Sequence, residues 1–147
     1  MKEVWKSFLG CYEVSNLGRV RRSVGAKTSK AGKILGGWLD GHGYRRITFM
    51  YRGRKVHFSL HVLVARLFIG PRPPTKTQVN HKDLDILNNR WTNLEYVTHA
   101  ENTRHAMEHG VLVGTPAHKK KGIRYGRRRV REIVVSVGAQ QDRRQER

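Results

Sequence analysis

The chain has 147 residues, 37% of them hydrophobic, with thirty Lys and Arg against eleven Asp and Glu, a formal net charge of +19. That length allows one compact domain, or two small ones and a tail, around a modest core. The charge, with a pI near 11.1, opposes self-association and favours a polyanionic partner, nucleic acid before membrane surface or acidic protein.

A single cysteine, Cys11, excludes an internal disulfide and cysteine-based zinc knuckles. No run reaches the ~18 apolar residues of a spanning helix, and Met1-Lys2-Glu3 opens no signal peptide. The expectation is a soluble, cytoplasmic monomer with no membrane partner and no small-molecule cofactor.

From the N-terminus, Trp5, Phe8 and Leu9 precede Tyr12–Ser15 and Arg19–Arg21, whose alternation predicts two short strands. Asn16-Leu17-Gly18 between them is turn chemistry, because Asn and Gly tolerate positive φ. The product is a small hairpin with Arg19, Arg21 and Arg22 at its exit, either nucleic-acid contacts or incidental arginines. Residues 24–32 read as a flexible basic loop.

Three strand-like runs follow, Lys33–Leu39, Tyr44–Tyr51 and Lys55–Leu60, with turns at Asp40–Gly43 and Arg52–Arg54. In the middle run neither alternating set is purely apolar, so a thin sheet with one basic face is predicted, Arg45 and Arg46 included. Such a face is either a ribbon for a DNA groove or a solvated surface.

At His61–Ile69 the period changes. The run is apolar nearly all round, which predicts a short buried helix ended by Gly70-Pro71. His61 at its start reads as a capping or core histidine before a ligand. Next, the β-prone Gln78-Val79 delivers Asn80 and His81, and a polar loop with Asn88, Asn89 and Asn93 follows. A second β-prone run, Leu94–Thr98, leads into a helical pattern over Ala100–His109 that stops at Gly110. Thr98 and Glu101 have capping-box spacing, and the helix carries Asn102, Arg104 and His105.

Beyond Val113 the composition shifts. Residues 118–147 hold eleven Lys or Arg against three acids. Lys119, Lys120, Lys121, Arg127, Arg128 and Arg129 form runs suited to phosphate, and residues 131–137 have the makings of a short helix. The segment is most simply a basic arm.

The polar cluster on the strand–loop–strand–helix stretch has the parts for phosphodiester hydrolysis. His81 is the candidate base, since an imidazole with an ordinary pKa of ~6.5 is available in neutral form near pH 7. Asn93 lies where the hairpin returns and can pin the strand backbone or the ring. A hard divalent ion takes oxygen ligands, and magnesium keeps most of its waters, so two amide oxygens, Asn80 and Asn102, can be enough. His105, at i+3 from Asn102 on the same helix face, is a ligand for a softer metal or a phosphate contact. Asn88 and Asn89 read as turn residues.

These residues resemble a known family. Val79-Asn80-His81-Lys82-Asp83, Asn88-Asn89-Arg90, Asn93–Thr98 and Glu101-Asn102 are similar to the motif of phage-type HNH homing endonucleases. His61–Phe68 resembles the helix that precedes the site there. Trp5 with Tyr12–Val20 is similar to a small β module often found beside such nuclease domains.

The resemblance implies an α+β protein: a small N-terminal antiparallel β region (residues 1–54), an HNH domain of ββα-metal fold (55–112, its core about 78–109) and the basic C-terminal arm (113–147). It implies a DNA endonuclease on double-stranded DNA, with one Mg²⁺ or Mn²⁺ ion per site, leaving 5′-phosphate and 3′-hydroxyl ends. His81 would be the general base, Asn93 the residue fixing the loop and His81, Asn102 a metal ligand, and Asn80 the other. Asn80 departs from the pattern, since many HNH nucleases have an aspartate there. Residues 118–147 also spell no helix-turn-helix module. The alternative function is a non-catalytic nucleic-acid-binding protein on a decayed nuclease scaffold.

Overall fold

The computed structural model describes residues 1–25 and 30–110. The basic arm, with Lys119–Lys121 and Arg127–Arg129, the short helix foreseen over 131–137 and the middle of loop 24–32 lie outside the described residues.

Among the described residues, eight strands and two α-helices follow one another in the order β1 (Trp5–Phe8), β2 (Tyr12–Ser15), β3 (Val20–Arg22), β4 (Trp38–Leu39), β5 (Arg45–Tyr51), β6 (Arg54–Ser59), α1 (Leu60–Phe68), β7 (Gln78–His81), β8 (Leu94–Val97) and α2 (His99–Glu108), with a 3-10 turn at Trp91–Asn93 just before β8. They form three antiparallel sheets, β1-β2-β3, β4-β5-β6 and β7-β8. The expected α+β class holds. The residue 54/55 boundary expected between modules falls inside the β5–β6 hairpin, whose register runs from Arg46↔Ser59 to Tyr51↔Arg54.

Three elements differ from expectation, each for a physical reason. Strand β1 pairs with β2 from Trp5↔Ser15 to Phe8↔Tyr12, although Trp5-Lys6-Ser7-Phe8 buries only its last residue and so lacks an alternating signal. The run Lys33–Leu39 shortens to the two residues of β4 and one bridge, Ile34↔Arg21. Gly37 interrupts it: φ is +68°, and a Cβ there would stand 2.3 Å from the Arg46 carbonyl oxygen. Helix α1 buries Leu60, Leu63, Val64 and Ala65, while Val62 is exposed, so it is amphipathic rather than buried all round.

The core is an aromatic cluster that ties the N-terminal sheet to β5 and β6. Phe8 meets Phe49 and Phe58 edge-on, with centroids at 5.1 and 5.3 Å, and Tyr12 meets Phe49 at 4.9 Å. These rings are all but sealed from solvent, and each edge-to-face pair adds roughly 0.5–1.5 kcal/mol beyond burial. Tyr12 Oη accepts from the Met50 backbone N–H at 3.1 Å, and Lys6 Nζ donates to the Leu67 carbonyl at 2.7 Å. The inner face of the β5–β6 hairpin is thus Ile47, Phe49, Phe58 and Val56; its outer face carries Arg46, Thr48, Met50, Lys55 and His57, with Trp38 paired to Arg46.

Helix α2 starts on the expected capping box. Thr98 Oγ1 accepts from the Glu101 N–H, and the Glu101 carboxylate accepts from the Thr98 N–H. This sets α2 directly after β8, and its side of the hairpin is β7: Asn102 Nδ2 donates to Gln78 Oε1 at 2.8 Å.

Candidate active site

Strand β7 pairs with β8 in the register Asn80↔Glu95 and His81↔Leu94. Successive strand residues point to opposite faces, so Asn80 and His81 separate. His81 turns into the body of the protein, where it is 4% exposed. Its ring lies 5.3 Å from that of His61 and 6.2 Å from that of Tyr44.

His81 Nε2 meets Asn89 Oδ1 at 3.3 Å. The Asn89 amide is oriented by its own Nδ2, which donates to the Leu87 carbonyl at 2.9 Å. With the oxygen therefore facing the ring, Nε2 carries the proton in the neutral imidazole, and Nδ1 carries the lone pair. No hydrogen bond among the described residues occupies Nδ1. Burial pushes the His81 pKa below its ordinary value, against the Asn89 bond and the nearby Asp83 and Asp85 charges that raise it. The ring is thus neutral at pH 7 and fit to accept a proton.

The loop between the strands is held from within. Asn93 Oδ1 accepts from the Asp83 N–H at 3.1 Å, and its Nδ2 donates to Asp83 Oδ1 at 2.7 Å and to the Asn88 carbonyl at 2.9 Å. Asn88 Nδ2 also donates to Asp83. Burial alone would raise the Asp83 pKa, but the bonds from Asn88, Asn93 and the Asp85 N–H hold it below the usual carboxylate range. Asn93 thus fixes the loop; the bond to the His81 ring comes from Asn89.

A divalent ion needs oxygen donors, and two asparagines offer them. Asn80, 7% exposed, donates its Nδ2 to Glu95 Oε1 at 2.9 Å. Asn102 is anchored in the same way to Gln78. Each NH₂ is tied down, and each Oδ1 makes no hydrogen bond among the described residues. Gln78 and Asn80 share one face of β7, so α2 brings Asn102 along the face that carries Asn80. Both free amide oxygens are of the donor type a hard divalent ion takes. The set is built of amides: no group of three or more His, Cys, Asp or Glu among the described residues could hold a metal. His105, next along the α2 face, has a buried Nδ1 without a hydrogen-bond partner and a ring 4.6 Å from that of His109.

The sequence alone reads Asn89 as a turn residue and assigns Glu95 and Gln78 no part in the site. The strand register Asn80↔Glu95 would have placed the carboxylate. Nothing in the sequence singles out Asn89 from Asn88. His61 is half-buried, and Ser59, not His61, is the N-cap of α1. Its Nδ1 is buried without a partner, its ring stacks on Tyr44 at 4.9 Å, and burial with the neighbouring His81 lowers its pKa to about 4.

The expected nucleic-acid contacts divide. Arg19 is paired with Glu3, and Arg21 with Glu13 at 2.6 Å while lying 4.0 Å over the Trp5 ring. Arg22 lies over Tyr12 at 5.2 Å and donates to the Val24 carbonyl. Arg45 donates to the Gly36 carbonyl at 2.7 Å, and Arg46 sits 3.7 Å from Asp40. Arg104 on α2 is exposed. The hairpin arginines therefore hold the N-terminal sheet together, whatever else they touch.

Residues 58–104 match the family model described as HNH endonuclease. The chain is 42% identical over 80 residues to the SPbeta prophage-derived putative HNH homing endonuclease YosQ of Bacillus subtilis (strain 168), covering 54% of this chain and 46% of that protein. It is 36% identical over 107 residues to DNA endonuclease I-HmuI of Bacillus phage SP01, covering 73% of this chain and 58% of that protein. With the uncharacterized HNH endonuclease L245 of Acanthamoeba polyphaga mimivirus it shares 38% identity over 100 residues, 68% of this chain but 28% of the relative. The solved structure titled "DNA binding and cleavage by the HNH homing endonuclease I-HmuI" superposes with a TM-score of 0.62 at 34% identity, covering 76% of this chain and 62% of that one. The chain thus spans less than two thirds of each of these relatives. In motif, strand–loop–strand–helix geometry and these likenesses together, residues 58–104 of this chain match the HNH endonuclease family model and are similar to the corresponding part of HNH homing endonucleases.

Proposed function

We propose that the chain is a homing-type DNA endonuclease that hydrolyses phosphodiester bonds in double-stranded DNA as a monomer. The single observation that carries this reading is the His81 imidazole. It is held neutral by burial, with Nε2 engaged by Asn89 and Nδ1 left without a partner. His81 acts as general base, taking the proton of the attacking water on Nδ1. Asn93 keeps the loop, and with it His81, at a fixed place. Asn80 and Asn102 hold one Mg²⁺ or Mn²⁺ ion through their amide oxygens, with His105 the alternative donor. When bound, the ion supplies charge stabilisation at the scissile phosphate.

Duplex binding falls to the exposed Arg104, the outer face of the β5–β6 hairpin and the basic residues of 118–147. No helix among the described residues is long and apolar enough to cross a membrane. The test is cleavage of plasmid DNA, and of the DNA flanking the chain's own gene, with Mg²⁺ or Mn²⁺. Wild type should cut and His81→Ala should not. If both bind DNA and neither cuts with any divalent ion, the nuclease reading fails and the non-catalytic binder stands.

A further inference from the structure

The turn of the first hairpin reaches the candidate base. Asn16 is 5% exposed and bonded on every side. Its Oδ1 accepts from the Val4 N–H, its Nδ2 donates to the Lys2 carbonyl, and its own carbonyl accepts from the Trp91 N–H at 2.9 Å. Ser15 Oγ accepts from the N–H groups of Leu17 and Arg19, which closes the turn. At its end Gly18 has φ +77° and lies flat against Asn89: a Cβ on Gly18 would stand 2.8 Å from Asn89 Cβ and 2.9 Å from its carbonyl oxygen. Asn89, 4% exposed, is the residue whose amide oxygen meets His81. From Lys2 to His81, then, there is one continuous run of contacts, and the missing side chain of Gly18 is what lets it close.

We propose that Asn89 is a positioning residue that fixes the tautomer and direction of the His81 ring, and that the Asn16–Gly18 turn is its backstop. The N-terminal hairpin is on this view part of the hydrolytic apparatus as well as a candidate DNA contact. The inference rests on His81 being the base, but the contact itself is tested without cleavage.

The experiment uses the full chain, metal-free, with the ring nitrogens of His81 observed by ¹⁵N NMR. The wild-type ring is expected in the Nε2–H form. Asn89→Leu removes the acceptor while keeping the branching at Cγ and should move the ring toward the Nδ1–H form; Asn89→Asp keeps an acceptor and should leave the wild-type form. Gly18→Ala should resemble Asn89→Leu. Gly10→Ala is its control: φ is +74° there, with nothing within 4 Å of an added Cβ, so the same backbone strain arises with no push on Asn89.

In plasmid cleavage, Asn89→Leu and Gly18→Ala should lose about tenfold to a hundredfold in kcat, with KM for DNA unchanged. Gly10→Ala should stay within a few-fold of wild type. An Nε2–H ring in Asn89→Leu overturns the proposal even if Gly18→Ala does not fold. Equal effects of Gly10→Ala and Gly18→Ala overturn the backstop. A wild-type chain that cuts nothing but shows the expected tautomer pattern supports the positioning and removes the nuclease reading instead.

Discussion

The His61 ring makes acid sensitivity a property of the fold. It is half-buried beside Tyr44 and His81, its Nδ1 sealed from solvent with no partner among the described residues, and its pKa falls from an ordinary 6.5 to about 4. In the unfolded chain the same ring takes up a proton at its ordinary pKa. Between those two values the unfolded state binds more protons, so stability is complete above about pH 6.5 and is lost as the pH falls toward 4. The gap between those two values amounts to about 3 kcal/mol, a large part of a small domain's total of roughly 5–15 kcal/mol.

The perturbation is His61→Gln, which cannot titrate. Urea unfolding at pH 7.5 and pH 4 should show wild type losing about 3 kcal/mol more than the variant over that interval. Losses from His81, Glu3, Asp83 and Glu101, whose pKa values are also lowered in the fold, occur in both chains, so the difference between the two chains reports on His61. A variant that starts less stable but loses just as much on acidification would refute the reasoning, because the proton would then be going elsewhere.

Other outcomes follow from contacts already described. Asn80→Asp sets a second carboxylate against Glu95 at what is now a 2.9 Å hydrogen bond, and like charges so close cannot both ionise comfortably. The metal-free variant should melt earlier than wild type and regain more stability on adding Mn²⁺; identical responses to Mn²⁺ would sever Asn80 from the metal. Thr98→Ala removes the capping box of α2 and should cost about 1 kcal/mol in urea unfolding, with weaker Mn²⁺ binding because α2 carries Asn102. DNA affinity should fall by roughly 10³–10⁵ between 50 and 200 mM salt if six to ten phosphates are neutralised. Deleting residues 118–147, with their eleven Lys and Arg, should flatten that slope, whereas Arg21→Ala should scarcely change it, since Glu13 already neutralises that charge. The reverse ranking would move the DNA contacts to the first hairpin.

What could be read in advance was what local rules decide. Tyr12–Ser15, the Leu94–Val97 strand and the Thr98/Glu101 cap follow from alternation and spacing, and all are found. Strand β3 begins one residue later than its pattern because Arg19 is drawn into the turn by Ser15 Oγ. Strand β1 has no pattern of its own and exists through its partner β2. The same division runs through the candidate site. The Asn80, His81 and Asn102 positions were visible as residue types on predictable elements. The Asn89–His81 bond, the Gly18 contact and the anchoring of Asn102 by Gln78 join residues whose meeting depends on how elements pack, which no local spacing encodes.

The joining of Asn16 to Trp91 and of Gly18 to Asn89 has a kinetic side. Contacts between residues so far apart in the chain carry a loop-closure cost that must be met before they return any stabilisation. During synthesis the first hairpin leaves the ribosome long before the segment that carries Asn89. His81 can then acquire its partner only after that later segment has emerged and docked back. Until that docking is done, the nascent chain holds Asn89 and His81 without the Asn16–Gly18 backstop.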